Sequence, residues 1–126
     1  MTMTYTGVVL DAPDARELAD FYRRLLGWEV AEDSPDWVSL REPGGTARLS
    51  FQTEKRYRRP AWPAADNAQL MMAHLDIEVD DLRAELTHAV AEGAEVAEYQ
   101  PQRDVRVCLD PAGHPFCLFV REGAGN

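Results

Sequence analysis

Cysteine is scarce: Cys108 and Cys117 are the only two in 126 residues. That excludes a disulfide framework and predicts reduced, buried thiols. The pair flanks a turn, Asp110 to Gly113, and whether the two thiols meet depends on a loop register that the sequence leaves open. Long apolar runs are also missing. None approaches the roughly 20 residues that cross a bilayer, and the N-terminus has neither the basic nor the apolar region of a signal peptide, so a cytoplasmic protein is expected. Bases are outnumbered by acids, 13 to 22, for a formal charge of -9. A phosphate backbone or an anionic membrane surface is repelled by such a chain, so neither nucleic acid nor membrane is an expected partner. Gly-x-Ser-x-Gly, a phosphate loop, a dinucleotide fingerprint and a zinc-type cysteine pair are absent, which removes the chemistries they serve.

What is present is a repeat. Glu-Val-Ala-Glu occurs at Glu29 to Glu32 and again at Glu95 to Glu98, each time two residues after a glycine, Gly27 or Gly93. At the same offset of 66 residues Asp14 falls on Asp80, and Glu42-Pro43-Gly44-Gly45 is echoed slightly later by Asp110-Pro111-Ala112-Gly113. The chain therefore reads as two copies of one module of about 60 residues, with a cleft expected where the halves meet. A length of 126 residues and 45% apolar content suit one domain with a shared core.

Within each copy the pattern is strand, helix, strand, strand, strand. Thr4 to Leu10 reads as a strand. Leu18, Phe21, Tyr22, Leu25 and Leu26 recur at helical spacing until Gly27 stops them. Short strands follow at Trp28 to Glu32, Trp37 to Arg41 and Ala47 to Gln52. In the second copy Leu70 to Val79 is a strand and Asp80 caps a helix striped by Leu82, Leu86, Ala89 and Val90. Gly93 ends that helix, and strands follow at Ala94 to Glu98, Asp104 to Asp110 and Pro115 to Arg121. Module 1 spans about 4–53, a linker about 54–69 and module 2 about 70–121. The linker holds Lys55, Arg56, Arg58 and Arg59 with Tyr57 and Trp62, and suits either an anion-attracting lid or a solvated connection pinned by its aromatics. His88 and His114 are expected in solvent, and the Gly-rich tail after Arg121 is expected to fray.

Three segments carry a resemblance: Asp14 to Trp28 with its Phe21-Tyr22 pair, His74-Leu75-Asp76-Ile77-Glu78-Val79-Asp80-Asp81, and Asp110-Pro111-Ala112-Gly113-His114-Pro115-Phe116-Cys117-Leu118. Together with the repeat they resemble the vicinal oxygen chelate superfamily, which includes glyoxalase I, extradiol dioxygenases and the bleomycin resistance proteins. The likeness is greatest to small actinobacterial glyoxalase-like domain proteins and runs from about Thr6 to Val120. It implies an α+β fold of two tandem βαβββ modules that form a cupped mixed sheet with helices outside, commonly in a homodimer.

In metal-dependent members the resemblance implies ligands on the first and last strands of each module. His74 matches one of them. Its counterpart falls on Gly7 or Val8, which offer no donor. The last-strand position of module 2 is Cys117, and that of module 1 lies within Leu49 to Gln52, with Gln52 as the oxygen taken. A catalytic divalent site needs about three protein ligands. No metal and no other cofactor is therefore expected, and His74, Gln52 and Cys117 would be the ligands of any site that exists. On β-strand parity His74, Asp76 and Glu78 share one face, with Asp76 and Glu78 nearer the rim. The expected function is metal-independent binding of a small organic metabolite or antibiotic in an aromatic cup. Trp37, Phe51, Trp62, Phe116 and Phe119 are its walls; Gln52, His74 and Cys117 are its remaining lining. The alternative is a lyase or isomerase with a reduced metal site, or with His74 as general base.

Overall fold

The computed structural model describes residues 2–121, so the tail expected to fray lies outside it. Two compact units divide between Tyr57 and Arg58. In the first, β1 (Gly7–Ala12), α1 (Ala15–Leu26), β2 (Glu29–Ser34), β3 (Trp37–Arg41) and β4 (Arg48–Thr53) form a sheet of order β1-β4-β3-β2 with α1 on one face. β1 runs parallel to β4 and the other neighbours are antiparallel. Asp14 stands in extended conformation before α1, and its carboxylate accepts from the amides of Arg16 at 3.0 Å and Glu17 at 3.4 Å. Two of the four donors that every helix start leaves bare are thereby satisfied. Gly27 closes the helix at φ 71°, a conformation that side chains resist. Leu18, Phe21 and Tyr22 are buried against the sheet, where Tyr22 stacks on Phe51 with centroids 5.6 Å apart.

The second unit repeats this order after a short addition. Pro60–Ala61 (β5) pairs in parallel with Gln69–Leu70 (β6), so the connecting segment carries a two-residue ladder that no periodic pattern announces. Then come β7 (Leu75–Glu78), α2 (Leu82–Glu92), β8 (Glu95–Val96), β9 (Val105–Leu109) and β10 (Pro115–Phe119), in sheet order β7-β10-β9-β8. The expected strand from Leu70 to Val79 is thus two strands with a break between them. The cap of α2 is Asp81 rather than Asp80: its carboxylate accepts from Ala84 N–H at 3.0 Å. Asp81 corresponds to Asp14 at an offset of 67 residues, and the offset falls to 66 at Gly93 because α2 has 11 residues where α1 has 12. Val90, expected on the apolar stripe, is 46% exposed, and Ala89 is the buried residue of α2. His88 and His114 are half-buried rather than solvated.

The turn between β9 and β10 holds the last strand in place. Asp110 is 2% exposed, and its carboxylate accepts from the amides of Ala112 and His114, both at 2.9 Å. Gly113 sits at φ 89° with the side chain of Arg59 packed where a Cβ would be. Register then decides the cysteines. Phe116 pairs with Cys108, and Cys117 pairs with Val107, so the thiols project from opposite faces of the sheet and both are free.

Candidate functional site

In the second unit the face of the sheet away from α2 carries the chemistry. Strand alternation sends Leu75 and Ile77 toward the helix, and His74 and Asp76 to the other side. Asp76 lies opposite Cys117 of β10, which in turn lies opposite Val107 of β9. Trp62, in the loop after β5, places its indole on the His74 imidazole, with centroids 4.8 Å apart and planes at 22°. Tyr99 meets the same indole edge-on at 5.6 Å. A cleft of ≈ 340 Å³ opens here, lined by Trp62, His74, Asp76, Val107, Cys117 and Phe119. His74 Nε2 lies 3.1 Å from Asp76 Oδ1.

The first unit treats the remaining expected residues differently. Phe51 and Phe116 are both 0% exposed and lie under the helices of their own units, so neither is a wall of an open site. Adjacent residues of a strand face opposite ways, so Phe51 and Gln52 cannot line the same face, and nor can Phe116 and Cys117. Gln52 does reach the open face of its sheet, where its amide donates to Asp11 at 2.7 Å. Trp37 pairs with Gln52 in register and lines a separate cleft of ≈ 460 Å³, over the buried hydroxyls of Ser39 and Ser50. Those hydroxyls are 3.0 Å apart, and Arg48 bridges from them toward Glu32 at 3.2 Å.

Residues 7–119 match the model of the glyoxalase-like domain family. The chain belongs to that family. Solved structures agree on the fold. A glyoxalase/bleomycin resistance protein/dioxygenase family enzyme from Burkholderia phytofirmans aligns with a TM-score of 0.69 and 18% identity, over 91% of this chain and 96% of that one. The glyoxalase family protein of Enterococcus faecalis aligns at 0.68 and 20%, over 92% and 96%. Lactoylglutathione lyase from Agrobacterium tumefaciens aligns at 0.63 and 18%, over 98% and 96%. At such identities the likeness shows the fold alone and assigns no activity. A search of curated proteins gave no match.

Within this glyoxalase-like fold the strand registers settle which positions correspond. At the offset of 67 residues set by the helix caps, His74 answers to Gly7, Asp76 to Val9, Cys117 to Ser50 and Phe119 to Gln52. The first-module partner of Cys117 is therefore Ser50, not Gln52. Gly7 cannot be replaced by a donor in place, because a Cβ built there collides with the carbonyl oxygen of Arg48 in the neighbouring strand. The second module compensates in a way that counting ligands along the sequence overlooks. Among the described residues one group of three metal-competent side chains converges, His74, Asp76 and Cys117, with donor atoms within 4.8 Å of one another. Imidazole, carboxylate and thiol together fit a borderline-soft divalent ion rather than a hard one. Burial first, and then the neighbouring Asp76 carboxylate, push the Cys117 thiol above its ordinary range. A protonated, inward-packed thiol is a poor nucleophile, which argues against a Cys117–His74 catalytic pair. Asp76, Tyr99 and Val107 are among the site residues that sequence reasoning did not select; parity alone put Asp76 beside His74.

Proposed function

We propose that the protein binds a small organic molecule on the open face of its second module. One observation carries this reading: the Trp62 indole is stacked on His74 above a ≈ 340 Å³ cleft whose lining is mostly apolar, with Asp76 and Gln102 as its other polar groups. That volume is at the small end of ordinary ligand sites, and a few polar groups on an aromatic and aliphatic wall are their usual composition. The stacking holds a large rigid ring in position before a ligand arrives, so little conformational freedom is lost on binding. Val107 and Phe119 supply area, while His74 and Asp76 supply an imidazole and a carboxylate that orient the ligand. Ring contact and hydrogen bonding suffice, so binding proceeds without an ion.

The test is a thermal-shift screen of aromatic and heteroaromatic metabolites in the presence of chelator, followed by titration of the strongest hit. A ligand that binds only the folded chain raises the melting temperature. Trp62→Ala is expected to weaken the hit by about tenfold, as loss of an aromatic contact does. A screen without shifts, or a hit indifferent to Trp62→Ala, would sink the reading.

A second reading, proton transfer by His74, is favoured by the contact with Asp76, which fixes the ring's orientation as a general base requires. Turnover that survives His74→Gln would exclude it. For assembly the reading is a cytoplasmic homodimer, supported by the edge strand β1, where Val8 and Val9 stand 37% and 44% exposed.

A further inference from the structure

We infer that His74, Asp76 and Cys117 form a binding site for a thiophilic divalent cation of the zinc and cadmium class, contained wholly within the second module. This ligand set differs from the one that the superfamily resemblance implies. That set draws on first and last strands of both modules, whereas here the first module has Gly7, Val9 and Ser50 at the corresponding positions. The second module makes up the number with an aspartate two residues beyond the histidine and a cysteine on the adjoining strand.

The geometry suits such an ion. Two donors bound about 2.0–2.3 Å from one tetrahedral centre lie roughly 3.3–3.8 Å apart. His74 Nε2 and Asp76 Oδ1 are already 3.1 Å apart, and no pair among the three donors exceeds 4.8 Å. The remaining adjustment is a rotation of about an ångström at side chains that have room for it, since those of His74 and Asp76 are 29% and 63% exposed. Cys117 is the fixed member, 4% exposed on a central strand. Its position is set by the ladder to β7 on one side and β9 on the other, which keeps the sulfur beside the two more exposed donors. Binding forms the metal–sulfur bond as the thiol proton leaves to solvent, with no change of oxidation state. The bound thiolate, imidazole and carboxylate leave a divalent ion close to neutral, and the Asp76 carboxylate gives the site a sign that attracts cations. Three protein donors also leave a position unfilled, as catalytic zinc sites do.

The inference does not rest on the proposed organic ligand, and its test separates the two. Chelator-stripped full-length protein is titrated with cadmium alone, and the sulfur-to-metal charge-transfer absorbance is followed in the ultraviolet. One equivalent is expected to saturate the band. Cys117→Ser is expected to abolish the band while Cys108→Ser keeps it. His74→Ala and Asp76→Asn are expected to weaken cadmium by more than the roughly 10–100-fold typical of losing a supporting contact. The last two replace exposed side chains, so loss of folding does not confuse them, and a circular-dichroism melt checks each variant. Absence of a band, or a band that survives Cys117→Ser, overturns the proposal. Trp62→Ala discriminates the readings: it is expected to weaken organic-ligand binding about tenfold, while the cadmium band, whose three donors it leaves in place, persists.

Discussion

Cys108 and Cys117 sit on neighbouring strands, both buried, and project from opposite faces of the sheet. Cys108 faces the helix side, fully buried, and burial first, with the Cys117 sulfur second, pushes its thiol from 9.0 to about 11. The folded state therefore holds a proton that the unfolded chain releases in that interval. Stability is expected to be level below pH 9.0 and to fall as pH rises between 9.0 and about 11. Chemical denaturation across that range should show the decline in the parent and a flatter profile in Cys108→Ala. Phe51 makes a related point. It was expected to wall a ligand site, yet it packs on Tyr22 beneath α1. Phe51→Ala should cost about 3–5 kcal/mol of stability, readable as a lowered denaturation midpoint, and leave binding at the Trp62 cleft intact in the folded fraction. Composition marked both aromatics and cysteines as candidates, but only register says which way each points. Where two neighbours were both assigned to one face, pleating made one of the assignments impossible. Where alternate residues were grouped, as with His74 and Asp76, the grouping stands.

At the scale of elements, most of the fold was legible because helices and strands announce themselves through period and punctuation. Asp14, the stripe from Leu18 to Tyr22 and Gly27 specify α1 almost alone. The second helix is less explicit: two aspartates precede it, and a one-residue deletion shifts the repeat offset within it. Helix-start geometry resolves the choice, because the carboxylate must reach an amide two or three residues on from the last extended residue. Asp81→Ala is expected to cost about 1 kcal/mol and Asp80→Ala less, a difference that paired urea melts would show. The segment that carries Trp62 was the least legible. A ladder of two residues has no measurable period, and what orders Trp62 is ring stacking on His74 and Tyr99, a contact between segments far apart in sequence.

For the molecule as a whole, duplication made the architecture readable twice over, while divergence between the copies hid the site. One open face has become a network of serine hydroxyls, Arg48 and Glu32, and the other an imidazole, a carboxylate and a thiol under an indole. Among the described residues β1 is the outermost strand of the first module's sheet, and it carries two exposed valines. Such an edge is a template for association unless it is covered. Light scattering at micromolar concentration is expected to give the mass of two chains, and Val9→Lys is expected to shift it toward one. A single-chain mass for the parent would refute the dimer.

Gly7 makes this inequality a matter of backbone rather than of side-chain choice. The backbone of strand β4 occupies the place where a side chain would begin, so placing histidine there would prise the two strands apart before any lone pair reached the surface. A missing donor on an open surface is supplied by one substitution; here the neighbouring strand refuses it, and chemistry that needs a side chain at this corner has to come from the second half.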